Sequence, residues 1–200
     1  MVCARLNNRL TGSPRIRVGV SSCLLGESVR YDGGHKHDHY ITDILGGFFD
    51  LVAVCPENES GMPVPREAMR LVGDQANPRL VTICSGHDLT QQLLAFCERK
   101  LTEMAKDGLC GFIFKRNSPS CGLIQVEISS DSAALPPAEG RGLFAAALTT
   151  RFPLLPVVEE VHLRDERQCQ SFLDHVHHYH RHFTTHSSLD KVADLYYMNN

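Results

Sequence analysis

Three cysteines stand where sulfur can do chemistry as well as fill a core. Cys23 lies in SSCLLG, Cys55 in VCPE and Cys121 in SPSCG, so each thiol has Gly, Pro or Ser beside it, residues that offer backbone amides and hydroxyls. Thiolates that hold an iron–sulfur cluster want such donors, because hydrogen bonds to sulfur tune the metal group. Three thiolates without a fourth ligand also leave one position open for substrate. No CxxC spacing adds to the signal, and a small buried hydrophobe is the other use the chain has for cysteine. That second use is the one expected for Cys84, Cys97 and Cys110, which sit inside apolar runs.

The elements around these cysteines decide whether they can meet. RIRVGVSS, residues 15–22, alternates like a strand and ends one residue before Cys23. LVAVCPE, residues 51–57, is a near-continuous apolar run that Pro56 closes, and CGFIFK, residues 110–115, is a third buried strand by composition. Between the first two, Ile41, Ile44, Leu45, Phe48 and Phe49 recur at helical spacing. Leu89, Leu93, Cys97, Leu101 and Met104 mark the clearest helix, with Asp88 ahead of it and Gly108 behind. Residues 79–85 and 123–128 read as further strands, the latter half-solvated at a sheet edge. Residues 129–140 read as a loop, 143–152 as a short helix and 154–158 as a last strand. Strands alternating with helices predict an α/β fold with a mostly parallel sheet, whose ligands bind outside the carboxyl ends of the strands. Cys23, Cys55 and Cys121 all follow such ends, so they are expected on one rim.

Composition narrows the classes. The 200 residues are 42% hydrophobic and 22% charged, with 15 Gly and 10 Pro, which excludes a fibrous or wholly disordered chain. A net charge of -3 gives no global cationic field for nucleic acid. The apolar stretches are too short to cross a bilayer, and the arginine-bearing leader lacks a signal-peptide core. A cytoplasmic location is expected, where eight cysteines stay reduced and make no disulfide framework. The organisation expected is a leader at 1–14, an α/β domain at 15–160 and a helical tail at 161–200, which holds most of the histidines.

The stretches VSSCLLGESVRYDGGHK, VCPENESGMPVPREAMRLVG, GFIFKRNSPSCG and RFPLLPV, in that order, resemble the TudS-like thiouracil desulfidase family. The resemblance implies a Rossmann-like three-layer α/β sandwich and a [4Fe-4S] cluster on Cys23, Cys55 and Cys121, with one iron free of protein ligands. It also implies catalytic roles for Glu57 of the CPE motif and Ser118 of SPSCG. The reaction implied is non-redox hydrolysis of a thiolated uracil, a thiouridine or thiolated tRNA, with release of hydrosulfide. Glu59, Ser60, Gly61 and Met62 depart from the usual family reading ahead of PVPRE, which bears on the substrate loop.

Other residues join this expectation. Arg30, Lys36, Arg66, Lys115 and Arg116 fall in loops of the same rim and suit a phosphate or RNA backbone, or else ordinary surface ion pairs. Ser120 of SPSCG is grouped with Arg30, Arg66 and Lys115 as substrate-binding. Asp32 of RYDGG is an acceptor for the base or the closing residue of an Asx turn. His175, His178, His182 and His186 share one helical face that zinc or nickel would suit. Arg164 to Arg181 resembles the start of the YbgA-like domain found fused to this family, here a remnant or a contact between copies. Two other classes fit the same residues: a non-catalytic nucleotide- or RNA-binding module with structural or zinc-bound cysteines, and a thiol enzyme with Cys55 as nucleophile and a histidine base.

Overall fold

Four of the expected strands pair in parallel. They are β1 (Arg17–Ser21), β2 (Asp50–Val54), β5 (Phe112–Phe114) and β8 (Val157–Glu159), in the order β2-β1-β5-β8. The computed structural model describes residues 15–130 and 136–184, so the leader and His186 lie outside the described residues. From β1 the chain crosses to β2 on one side and later returns to β5 on the other. The strand order therefore reverses at the β1/β5 boundary, and in a parallel sheet that reversal opens a crevice at the carboxyl ends. The segment joining β1 and β2 is less regular than its periodicity predicts: a π-helical turn at Tyr40–Ile44 runs into a 3-10 turn at Leu45–Gly47. Its apolar residues Ile41, Leu45 and Phe49 are nevertheless fully buried.

A second, mixed sheet is absent from the sequence reading. It is built from β3 (Met69–Val72), β4 (Arg79–Thr82), β6 (Val126–Ser129) and β7 (Ala138–Gly140), in the order β4-β3-β6-β7. β6 is an interior strand of this sheet, parallel to β3 and antiparallel to β7, where the alternation of residues 123–128 suggests an edge. β7 lies within the stretch read as loop, and Ala-Glu-Gly carries no apolar period to reveal it. β4 stops at Thr82, so Cys84, expected in the core, is exposed in the turn beyond it. Cys97 and Cys110 are buried as expected.

Helices α2 (Thr90–Lys106) and α3 (Leu143–Arg151) pack with the second sheet on one face of the parallel sheet. Asp88 accepts the Thr90 N–H at 2.9 Å ahead of α2, as its position suggests. Period-two alternation divides β5 between two cores. Phe112 and Phe114 face Leu93, Phe96, Leu101, Phe144 and Leu148, whereas Ile113 joins Val18, Val20 and Val158 on the opposite face. Gly19 is demanded by that first face: a β-carbon there would stand 2.4 Å from the Phe112 ring. The opposite face is covered by Ile41, Leu45 and Phe49 and by Phe172, Leu173 and Val176 of α4 (Glu166–Thr184). The helix expected beyond residue 160 thus forms and lays an apolar stripe on the sheet, with His175 and His178 exposed on its other side.

That packing has a measurable consequence. Leu173→Ala should lower unfolding free energy by about 2–5 kcal/mol, the usual cost of emptying a buried leucine site, while His175→Ala should stay within about 0.5 kcal/mol. Chemical denaturation of the two variants checks this, and equal effects would contradict the role of α4 as a core element.

Candidate functional site at the carboxyl rim

The local sequence turns each strand end into a loop that delivers a thiol. β1 runs straight into a 3-10 turn, Ser22–Leu25, that ends at Gly26 with a positive φ of 93° and carries Cys23. β2 ends at Cys55, the N-cap of the short helix α1 (Pro56–Glu59), where Pro56 supplies the fixed φ that starts a helix. Cys121 follows β5 by way of SPSCG. Because β1 lies between β2 and β5, the three thiols converge on one cavity of about 280 Å³ at the rim. Glu57, Ser118 and Ser120 line it with them, and so do Arg30, Arg66, Lys115 and Arg116. Asp32 and Lys36 are outside the lining.

The SPSCG loop is held by its carbonyls. Amides at the start of α3 donate to it: Gly142 to Gly122 at 2.7 Å, Leu143 to Pro119 at 3.1 Å and Phe144 to Ser120 at 2.9 Å. Only glycine fits at position 142, since a β-carbon would lie 2.5 Å from the Ser120 carbonyl carbon. The carboxylate of Glu159, 2% exposed, accepts the amides of Leu123 at 2.8 Å and Ile124 at 3.2 Å. Its neighbour Glu160 pairs with Lys115 Nζ and accepts the Arg116 amide at 2.8 Å. These two acids escape the sequence reading, although adjacent glutamates ending an apolar strand, VVEE, are the signal that reveals them.

Glu57 is the hub of the polar contacts. Its Oε2 accepts from Arg66, from Nε at 3.1 Å and from Nη2, and the two side chains are only 12% and 6% exposed. Arg66 Nη2 also donates to the Val29 carbonyl at 3.0 Å and Nη1 to that of Pro63 at 3.2 Å. Its guanidinium is therefore committed to shaping the site. The Ser120 hydroxyl donates to Glu57 Oε1 at 2.6 Å. The Ser118 and Ser120 oxygens are 3.0 Å apart, and with the Ser120 hydrogen committed to Glu57, the bond between them uses the Ser118 hydrogen. Ser118 Oγ meanwhile accepts the Cys121 amide at 3.0 Å. Donor bookkeeping thus orders a chain: Ser118 O–H to Ser120 O–H to the Glu57 carboxylate.

Electrostatics set the thiols apart from ordinary cysteine. Burial pushes Cys23 up to about 11, helped by Cys55 and opposed by Arg30 and Lys115. Burial also raises Cys55, against a backbone hydrogen bond from Asn58. It raises Cys121 well above the ordinary value, with a hydrogen bond from Ser21 opposing and Cys55, Glu57 and Cys23 adding. Cys23 and Cys121 each feel others of the trio, and burial favours the neutral form of all three. Asp32 is held low by the Gly34 amide, to which its Oδ1 is bonded at 3.0 Å, and by Arg30; it closes the RYDGG turn. Among the described residues no three His, Cys, Asp or Glu side chains are close enough to hold a single metal ion, the histidines of α4 included.

Comparison with known proteins supplies a class and then a family. A solved structure titled [4Fe-4S]-dependent thiouracil desulfidase TudS has a TM-score of 0.62 and 30% identity, covering 78% of this chain and 99% of its own. The fold is therefore that of an α/β enzyme family, one solved member of which is described as [4Fe-4S]-dependent. Residues 18–160 match the model of 2-thiouracil desulfurase, and the chain belongs to that family. The uncharacterized protein YbbK of Bacillus subtilis is 32% identical over 108 residues, 52% of this chain and 71% of that protein.

The thiol environment is testable directly. With a pKa of about 11 where an ordinary cysteine has 9.0, Cys23 in metal-free protein should hold ~100-fold less thiolate at pH 8, each pKa unit being a factor of ten. Iodoacetamide mapping by mass spectrometry should mark exposed Cys84 first, with Cys23 labelling rising roughly tenfold per pH unit below its pKa. Equal labelling of both at pH 7 would contradict the burial of Cys23.

Proposed function

We propose that the protein is a [4Fe-4S]-dependent desulfidase that hydrolyses the C–S bond of a thiolated uracil, free or within a nucleoside or tRNA. The observation that carries this reading is the convergence of Cys23, Cys55 and Cys121 on the cavity that also holds Glu57 and Ser118. The donor set suits the group. The three thiols share one cavity, and a cluster bound there would be held by three thiolates. The Ser21 hydroxyl, hydrogen-bonded to Cys121, is a donor of the kind that tunes cluster sulfur; the Ser120 hydroxyl, 3.8 Å from Cys121 Sγ, has its hydrogen on Glu57. When bound on these cysteines, the cluster supplies an open iron position, a soft Lewis acid for a thiocarbonyl sulfur.

The chain supplies the proton chemistry. A thiocarbonyl and water become a carbonyl, hydrosulfide and a proton, with no electrons gained or lost. Glu57, two residues past Cys55 and braced by Arg66, orients the attacking water and takes its proton. The Ser118–Ser120–Glu57 chain carries a proton between the ring side of the cavity and the carboxylate. Lys115, paired with Glu160, positions the loop. Arg116, exposed at the cavity edge, is placed for the phosphate of a larger substrate. A reducing cytoplasm keeps the thiols available for metal.

Anaerobic reconstitution with iron and sulfide, followed by sulfide-release assays on 2-thiouracil, 4-thiouracil, 4-thiouridine and bulk tRNA, tests the reading. Brown protein that releases sulfide from at least one of them is expected, and a loaded protein inert on all four refutes it. Glu57→Gln should retain the visible absorption of the cluster and lose about 10²–10⁴-fold in kcat, the range for a positioned acid–base group.

A further inference from the structure

Arg30 lines the cavity, and its Nε is the one buried side-chain nitrogen or oxygen among the described residues without a hydrogen-bond partner. Such orphans are rare in folded proteins and call for an occupant. An arginine Nε–H only donates, so that occupant must present an acceptor. That same Nε lies 3.5 Å from Asp32 Oδ1, an ion-pair contact that offsets its charge without hydrogen-bond geometry. What it lacks is a hydrogen bond, and an uncharged acceptor suits it better than a phosphate.

Its placement is fixed from several sides. The guanidinium carbon sits 5.5 Å from the centroid of the Tyr31 ring, a cation–π contact that orients its plane. The residues flanking it are pinned to Arg66: the Val29 carbonyl accepts from Arg66 Nη2 at 3.0 Å and the Tyr31 carbonyl from the Arg66 amide at 2.8 Å. The Arg30 amide itself donates to the Gly34 carbonyl at 3.2 Å, and the Arg30 carbonyl accepts from the Gly33 amide at 2.9 Å. Its charge is felt by Cys23, which places it beside the thiols. Tyr31, 43% exposed, adds an aromatic wall to the same cavity.

We infer that Arg30 is the specificity-determining contact of this cavity, donating its Nε–H to the remaining ring carbonyl of a thiouracil whose thiocarbonyl is the reacting group. The carbonyl that remains beside the reacting thiocarbonyl is then what the site reads, and Asp32, whose Oδ1 stands beside the same Nε, is the counter-charge that keeps the donor suited to a neutral acceptor. This rests on the desulfidase reading and sharpens it.

The test compares each thiouracil isomer with the thione that lacks the second carbonyl: 2-thiouracil with pyrimidine-2-thione, and 4-thiouracil with pyrimidine-4-thione. Intrinsic reactivity cancels when the kcat/KM ratio of a pair is compared between wild type and variant. Arg30→Met, similar in length and without donors, should lower the ratio for the preferred isomer by ~10–100-fold, chiefly through a higher KM for the thiouracil, because a donor left unpaired penalises the analogue only while the donor is present. Visible cluster absorption per protein should not change. If Arg30→Met fails to fold, Arg30→Lys keeps the charge, loses Nε–H and carries the same comparison. An unchanged ratio in a folded variant overturns the inference while leaving the desulfidase reading intact. A fully loaded wild type that releases no sulfide from either thiouracil removes both.

Discussion

The ion pair of Glu57 and Arg66 is the constraint on which the rim depends. One guanidinium reaches the Val29 carbonyl in the segment after β1, the Pro63 carbonyl in the chain after α1, and the Glu57 carboxylate. The other oxygen of that carboxylate takes the Ser120 hydroxyl from the loop after β5. Every segment that brings a thiol to the cavity is therefore tied to these two side chains. A pair this well buried is costly to desolvate, and it persists because each remaining donor and acceptor has been given a partner. Removing either member would leave a lone buried charge at the point where these loops meet.

The thiols belong to the same balance. Burial favours them neutral, so the site without a cation carries no cluster of like charges, and the acidic hub nearby is matched by Arg66. A metal group bound on these thiols would exchange protons for metal, which would link its occupancy to pH.

Much of this was legible in the residues. β1, β2 and β5 announced themselves by apolar runs ending at turn-forming residues, and parallel pairing makes their ends neighbours, so the meeting of Cys23, Cys55 and Cys121 followed from topology. The second sheet was not legible: β3 offers one exposed arginine and two buried aliphatics after its first residue, and β7 is Ala-Glu-Gly, too short for a period to emerge. Nor could spacing show that Arg66 turns inward to Glu57 and not outward to a ligand, because pairing between distant loops has no local signature. Asp32 could be read either as ligand or as turn, and its Oδ1 does accept the Gly34 amide of the turn. Cys84 looked like core only because the apolar run outlasts the strand by two residues, Ile83 and Cys84.

The division of the two aliphatic cores has an implication for how the molecule is wired. Cys23 packs with the core beneath α4, and Cys121 with the one shared by α2, α3 and the mixed sheet. Anything that binds both sulfurs at once therefore clamps the two sides of the central sheet together at its open margin, and the gain is felt by helices that never approach the ligand. By mass action such a clamp would stiffen the whole body, so that a loosened C-terminal helix and a poorly filled rim are two faces of one defect.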